Sequence, residues 1–384
     1  MSELNTWLDG VRVLDLSQYL PGPLATLLLA DFGADVLKIE PPRGDEMQNL
    51  GPRDGAGRAI FYGSVNAGKT VRRMDLKEPE SRENFLQLVD KADILLESFR
   101  PGVMARLGLD YATLAARNPR LVYCSLSGYG CGGPLEQAAG HDANYLAQAG
   151  ILYRNGNEAP VYFDPPVADT AGSLFAAIAI LGALRGRDRT GRGCAIDIGL
   201  ADVAVPLQIF QVADYGARGY SPSRNETYLN GGAACYRIYA TSDGRHVALG
   251  AIEDKFWRRF CETARHPEWI ARASEPMPQR ALIADLAAFF ATVTQDECVA
   301  RFAQADCCLT PVLTVGEALE SEHCRGRGLV RRGHAGDLQP LFPARVDGEP
   351  PATRAPARAT DGGFGDQGTG GDDPSLAIGR VSER

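Results

Sequence analysis

Three side chains have the residue types for proton chemistry at neutral pH, and each stands where an element begins or ends. His141 lies in Gly140-His141-Asp142-Ala143-Asn144-Tyr145, after a glycine-rich turn at 130–134. Asp169 follows Pro165-Pro166-Val167-Ala168 and opens the most apolar segment of the chain. Glu253 ends Gly250-Ala251-Ile252-Glu253. An imidazole exchanges protons near neutrality. A carboxylate at the mouth of an apolar helix is desolvated, which raises its proton affinity into the range of a general acid or base. Each residue also has a plainer reading: a helix-start His-Asp pair, an N-terminal cap, a first-turn carboxylate. No H-E-x-x-H, no G-x-S-x-G and no metal-spaced cluster occurs. The expected chemistry is proton transfer or carboxylate attack without a metal.

A fourth motif points elsewhere and is refused. Residues 63–70 read GSVNAGKT, which fits the P-loop pattern to the letter. A P-loop needs a helix starting at its lysine, so that the first-turn amides face the phosphates. Here Val71-Arg72-Arg73-Met74-Asp75 reads as a strand instead. Lys69 keeps only the role of a point charge for a phosphate-bearing ligand.

The elements that must position these residues follow from periodicity. Strands are expected at residues 11–16, 35–40, 70–76, 94–97 and 121–127, alternating with helices at 24–32, 81–91 and 103–117. Such alternation implies a Rossmann-like parallel sheet with right-handed crossovers, and open α/β sheets bind ligands beyond their carboxyl ends. Residues 168–184 are apolar on nearly all sides and read as a buried helix. A strand at 195–199 and a helix at 202–215 follow. After a polar stretch at 220–230, strands at 234–239 and 246–251 and helices at 255–264, 280–291 and 295–304 read as a smaller α+β domain.

Lys plus Arg number 40 and Asp plus Glu 48, a net charge of −8, which argues against nucleic-acid or anionic-membrane partners. The start shows no secretory signal, and the longest apolar stretch, 171–184, reads as too short to span a bilayer. Nine cysteines without a C-x-x-C pair fit reduced thiols in a cytoplasm.

Five stretches together resemble the class III CoA-transferase superfamily, the CaiB/BaiF group. They are GVRVLDLSQYLPGPLATLLLADFGADVLKIEPPRGD, ESFRPGVMARLGLD, SLSGYGCGGP, ADTAGSLFAAIAILGALRGRDRTGRG and DCCLTPVLTVGEAL. The resemblance covers residues 9 to 325. It implies an interlocked homodimer, with the site between the large domain of one subunit and the small domain of the other. It divides the chain into a large CoA-binding domain at 1–218, a small domain at 219–325 and a return segment to the large domain at 326–346. A Gly/Pro-rich tail, flexible by composition, is expected at 347–384.

The superfamily holds two chemistries. Its transferases use an aspartate that forms anhydride and thioester intermediates, and Asp169 matches it. Its α-methylacyl-CoA racemases use that aspartate, a histidine in a GHDxNY motif and a glutamate bonded to the histidine. His141, Asp169 and Glu253 resemble this trio, so epimerisation at C2 of a 2-methylacyl-CoA is expected, with CoA transfer through Asp169 as the alternative. Amides at the start of the Asp169 helix would then support the enolate oxygen. No prosthetic group is expected; the CoA thioester is the substrate. The candidate contacts to it are Lys38, Arg43, Lys69, Arg73 and Arg106, with Gly140, Asp142, Asn144 and Tyr145 from the motif. Pro41 stands where racemases carry an arginine, which leaves that charge to Lys38, Arg43 or Lys69.

Overall fold

The structure, a computed structural model, describes residues 3–365. Packing divides the chain into two units. The first holds the chain through Ala149, Phe163–Leu207 and the stretch from Glu322 onward; the second holds Gly150–Tyr162 and Gln208–Ser321.

In the first unit, β1 (Arg12–Leu16), α1 (Pro21–Asp31), β2 (Asp35–Glu40), α2 (Ile60–Asn66), β3 (Thr70–Arg73), α3 (Pro79–Val89) and β4 (Ile94–Glu97) alternate as expected. Proline at the start of α1 presets its first turn. Gly33 ends it at φ 98°, where a Cβ would stand 2.0 Å from the Asn5 carbonyl oxygen. The strand β3 directly follows Lys69, so the P-loop reading fails in the structure too.

The helix expected at 103–117 is two helices, α4 (Val103–Arg106) and α5 (Tyr111–Arg117). Gly108 at φ 69° separates them, and Asp110 caps the second by accepting the Thr113 amide at 3.0 Å. β5 (Val122–Ser127), α6 (Asp142–Gln148), α7 (Val167–Thr190), β6 (Ala195–Gly199) and α8 (Leu200–Val203) complete this stretch. Pro206 cannot continue a helix, so the segment expected at 202–215 is broken before α9 (Ile209–Arg218) begins.

α7 differs from expectation in two ways. It has 24 residues, long and apolar enough by length and composition alone to cross a membrane, a test that soluble core helices also pass. It is also not buried all round. Ala168, Gly172, Ala176 and Ile180 are buried, while Leu174 and Ile178 are exposed.

The sheet is wholly parallel and ordered β3-β2-β1-β4-β5-β6. Strand order reverses between β1 and β4, so the loops leaving these two strands diverge and open a crevice at their carboxyl ends. On one face Leu14, Leu37, Leu95, Phe85 and Val89 form a closed apolar layer. Charge is buried as well: Asp15, Lys38 and Lys69 are all inaccessible.

In the second unit, β7 (Tyr236–Ala240), β8 (His246–Gly250), α10 (Asp254–Ala264), α11 (Arg280–Phe290), α12 (Gln295–Phe302) and β9 (Leu309–Pro311) make an antiparallel three-stranded sheet and its helices. Trp257, Phe260, Leu286 and Phe290 fill its core. The chain then runs through α13 (Val315–Glu320) and α14 (Glu322–Arg327) into a hairpin of β10 (Val330–Arg332) and β11 (Leu338–Pro340).

The tail expected to be flexible at 347–384 is corrected over its first part. Arg354 makes a two-bonded pair with Asp31, both bonds 2.6 Å, with both side chains at most 9% exposed. β12 (Arg358–Ala359) then adds to the sheet edge beside β3 in parallel. Backbone pairing and one buried ion pair order a stretch that has little apolar surface to bury. The rest of that segment, 366–384, lies outside the described residues.

Candidate active site

A cavity of about 250 Å³ lies where the loops after β1, β4 and β5 meet. His141, Tyr145 and Asp169 line it, with Gln18, Tyr19 and Arg100 on its wall. The structure therefore brings two of the three candidate acid–base groups to one cavity. His141 is exposed and immediately precedes α6, where its backbone N–H donates to Asn144 Oδ1 at 3.1 Å. Its carbonyl accepts the amides of Asn144 and Tyr145 at 2.8 and 3.2 Å, which fixes the ring's point of departure from the helix. The Tyr145 hydroxyl donates to the Gly140 carbonyl. A Cβ on Gly140 would come within 2.7 Å of that tyrosine ring, so no side chain fits there.

Asp169 sits in the first turn of α7 and is half-buried. Burial first, and the nearby charge of Asp142 second, push its carboxyl up from 3.8 to about 7. A carboxyl in that range both gives and takes protons at neutral pH. Burial and the Asp169 charge likewise push the Tyr145 phenol up to about 12, so it stays a hydrogen-bond donor.

The backbone amide of Asp169 donates to Asp142 Oδ1 at 3.1 Å, and that of Thr170 donates to the Pro166 carbonyl at 3.1 Å. These two amides already have acceptors and are not available to an enolate oxygen. Glu253 belongs to the second unit. It precedes α10 with an exposed side chain, and its carbonyl accepts the amides of Phe256 and Trp257.

Two of the candidate CoA contacts are corrected. Lys38 is buried: its Nζ donates to the Ser17 carbonyl at 2.6 Å and lies 3.1 Å from Asp45. Lys69 is buried too, with its Nζ shared among Asp15, Thr26, Asn66 and the Pro23 carbonyl at 2.8–3.0 Å. Burial raises Asp15's proton affinity, but Lys69 and Lys38 outweigh it and hold the carboxyl well below the usual range. Neither lysine presents its charge at the surface. Arg43, Arg73 and Arg106 are exposed. Arg106 lines a second groove of about 560 Å³ with Ile39, Pro41, Met74 and Phe99, and this groove shares Gln18 and Phe99 with the cavity.

The loops after β1 and β4 went unread as site elements. The strand-end rule that singled out the loop after β5 applies equally to Gln18-Tyr19 and to Ser98–Arg100. No residue type there advertised it.

Comparison with known proteins gives a consistent picture. The model of CoA-transferase family III matches residues 8–361. Alpha-methylacyl-CoA racemase of Homo sapiens is 34% identical over 343 residues, 87% of this chain and 85% of that protein. Succinyl-CoA:mesaconate CoA-transferase of Haloarcula hispanica is 36% identical over 274 residues, 69% of each. The crystal structure of a CAIB/BAIF family protein from Brucella suis has a TM-score of 0.81 at 30% identity, covering 92% of this chain and 97% of that one. The identities do not separate the two named activities.

Proposed function

The chain belongs to CoA-transferase family III, and within it we propose that it epimerises C2 of a 2-methylacyl-CoA by two-base proton transfer. The observation that carries this reading is one cavity lined by an imidazole and by a carboxyl whose proton affinity is raised to about 7. The His141 imidazole takes the C2 proton from one face, and the C–H electron pair moves onto the thioester oxygen as an enolate. Asp169 gives a proton to the opposite face, which leaves the imidazolium and the aspartate anion, and the roles reverse for the other epimer. The groove bearing Arg106 is where the CoA moiety is proposed to lie, with Arg43 and Arg73 as further cations for its phosphates.

The alternative is CoA transfer to a carboxylic acid through an Asp169 anhydride. The His141 imidazole on the same cavity, for which an Asp169 anhydride has no need, supports the acid–base role. The named transferase relatives keep the second reading under test.

The two are separated by incubating a 2-methylacyl-CoA in heavy water with no acceptor acid. Epimerisation gives deuterium at C2 and loss of optical purity, and His141→Ala abolishes both. Wild-type exchange in His141→Ala overturns the reading. CoA movement on adding an acid, without exchange, establishes transfer instead.

A homodimer is part of the same proposal. Leu174 and Ile178 on α7 are 47% and 63% exposed, and Ile209 and Phe210 on α9 are 68% and 72%. Apolar rows of this kind support coverage by a second copy. Sedimentation at micromolar concentration reads the state directly, and a monomer removes this part.

A further inference from the structure

The loop after β1 is held by side chains at three consecutive backbone donors. The Ser17 amide donates to Asp15 Oδ1 at 2.9 Å, the Gln18 amide to Ser98 Oγ at 3.1 Å and the Tyr19 amide to Asp45 Oδ1 at 3.3 Å. The Ser17 carbonyl is held too, by Lys38 Nζ at 2.6 Å. Three consecutive amides with three different side-chain acceptors leave the loop one path.

That path is strained. Tyr19 has φ 63°, a conformation that side-chain-bearing residues rarely adopt, and it persists only where the surroundings over-determine it. Glycine follows at position 22, where a Cβ would stand 2.1 Å from Ser17 Cβ. The strained residue is on the cavity wall, together with Gln18.

The pair Lys38–Asp45 is central to this clamp. Both side chains are fully buried, with Nζ and Oδ2 3.1 Å apart. Lys38 holds the loop's first carbonyl, while Asp45 holds the amide of the strained residue and, at 3.0 Å, that of Met47. A buried ion pair of this kind adds little net stability over well-packed apolar residues. Its presence is better explained by where it puts the loop. We infer that Lys38 and Asp45 are positioning residues for the reaction: they fix the Ser17–Gln18–Tyr19 backbone so that Gln18 and Tyr19 form the cavity wall facing His141 and Asp169. This inference rests on the proposed acyl-CoA chemistry.

The test compares two double variants with the wild-type full chain. Lys38→Met with Asp45→Leu removes both charges together, leaving Asp15 paired with Lys69 and Glu40 hydrogen-bonded by Tyr62 and Gln48, and it removes the acceptor for the Tyr19 and Met47 amides. Lys38→Met with Asp45→Asn also removes both charges but keeps an amide oxygen as acceptor. Expected is a folded protein in both cases, with the Leu variant the less stable because the Tyr19 and Met47 amides lose their acceptor. The Leu variant loses about tenfold or more in kcat with KM little changed, since small misplacements at a site cost rate. The Asn variant recovers most of that loss.

A Leu variant that folds and turns over at the wild-type rate overturns the inference, as does an equal loss in both variants. If the Leu variant does not fold, Ser98→Ala takes its place, removing the acceptor of the Gln18 amide: lowered kcat at unchanged Tm supports the clamp, and unchanged kcat overturns it. Wild-type C2 exchange is the control. Its absence defeats the proposed function, whereas its presence with unaffected variants defeats only the clamp.

Discussion

The backbone amide of Asp169 donates to the carboxylate of Asp142 at 3.1 Å. One aspartate thus caps the helix that carries the other, and its charge is the second cause, after burial, of Asp169's raised proton affinity. The motif residue beside His141 reaches the site through Asp169.

Asp142→Asn follows directly from this geometry. The amide oxygen still accepts the Asp169 N–H, but the like charge is gone. The Asp169 pKa should fall below about 7 while staying above 3.8, because burial persists. The pH profile of kcat/KM for C2 exchange should move to lower pH. A profile that does not move shows that the Asp142 charge has no part in tuning Asp169.

Stability should carry the same signature. An acid whose folded pKa exceeds its unfolded value stabilises the fold when protonated, and that contribution fades as pH rises through the folded pKa. For Asp169 the window runs from 3.8 to about 7. Asp169→Asn does not titrate, so its Tm relative to wild type should climb across this window and level off above it. A constant difference between pH 4 and pH 8 contradicts the shift.

Lys69→Met tests the refused phosphate role. It leaves Asp15 buried without its partner, a loss of about 3–5 kcal/mol in unfolding free energy. Affinity for a CoA thioester, measured on the folded fraction by calorimetry, should be unchanged. A selective drop in affinity at full stability returns Lys69 to the ligand.

Arg354→Ala strands the buried carboxylate of Asp31. Urea unfolding should show destabilisation of about 3 kcal/mol or more, because one member of a buried pair is left alone. Amide exchange should rise in residues 358–359, whose pairing with β3 closes the sheet edge. Unchanged protection there means the ion pair does not hold the strap.

By itself the sequence determined the local terms. Apolar runs of strand and helix period identified the parallel α/β order, and the break in helix context after Lys69 dismissed the P-loop. Motifs in a fixed order pointed to the family, and residue type pointed to His141 and Asp169. These features are encoded within a few neighbouring positions, where periodicity and steric preference act.

Only the tertiary structure decided which charges face inward. Lys38, Lys69, Arg43 and Arg106 are equivalent as cations in a sequence, yet the first two are sealed against Asp45 and Asp15, contacts 7 and 54 residues distant along the chain. The strap at Arg354 pairs with Asp31 across an even longer separation. Burial and long-range pairing depend on how strands are ordered in space. That is why the carboxyl tuned by Asp142, the clamp on Tyr19 and the ordered tail became visible only after folding.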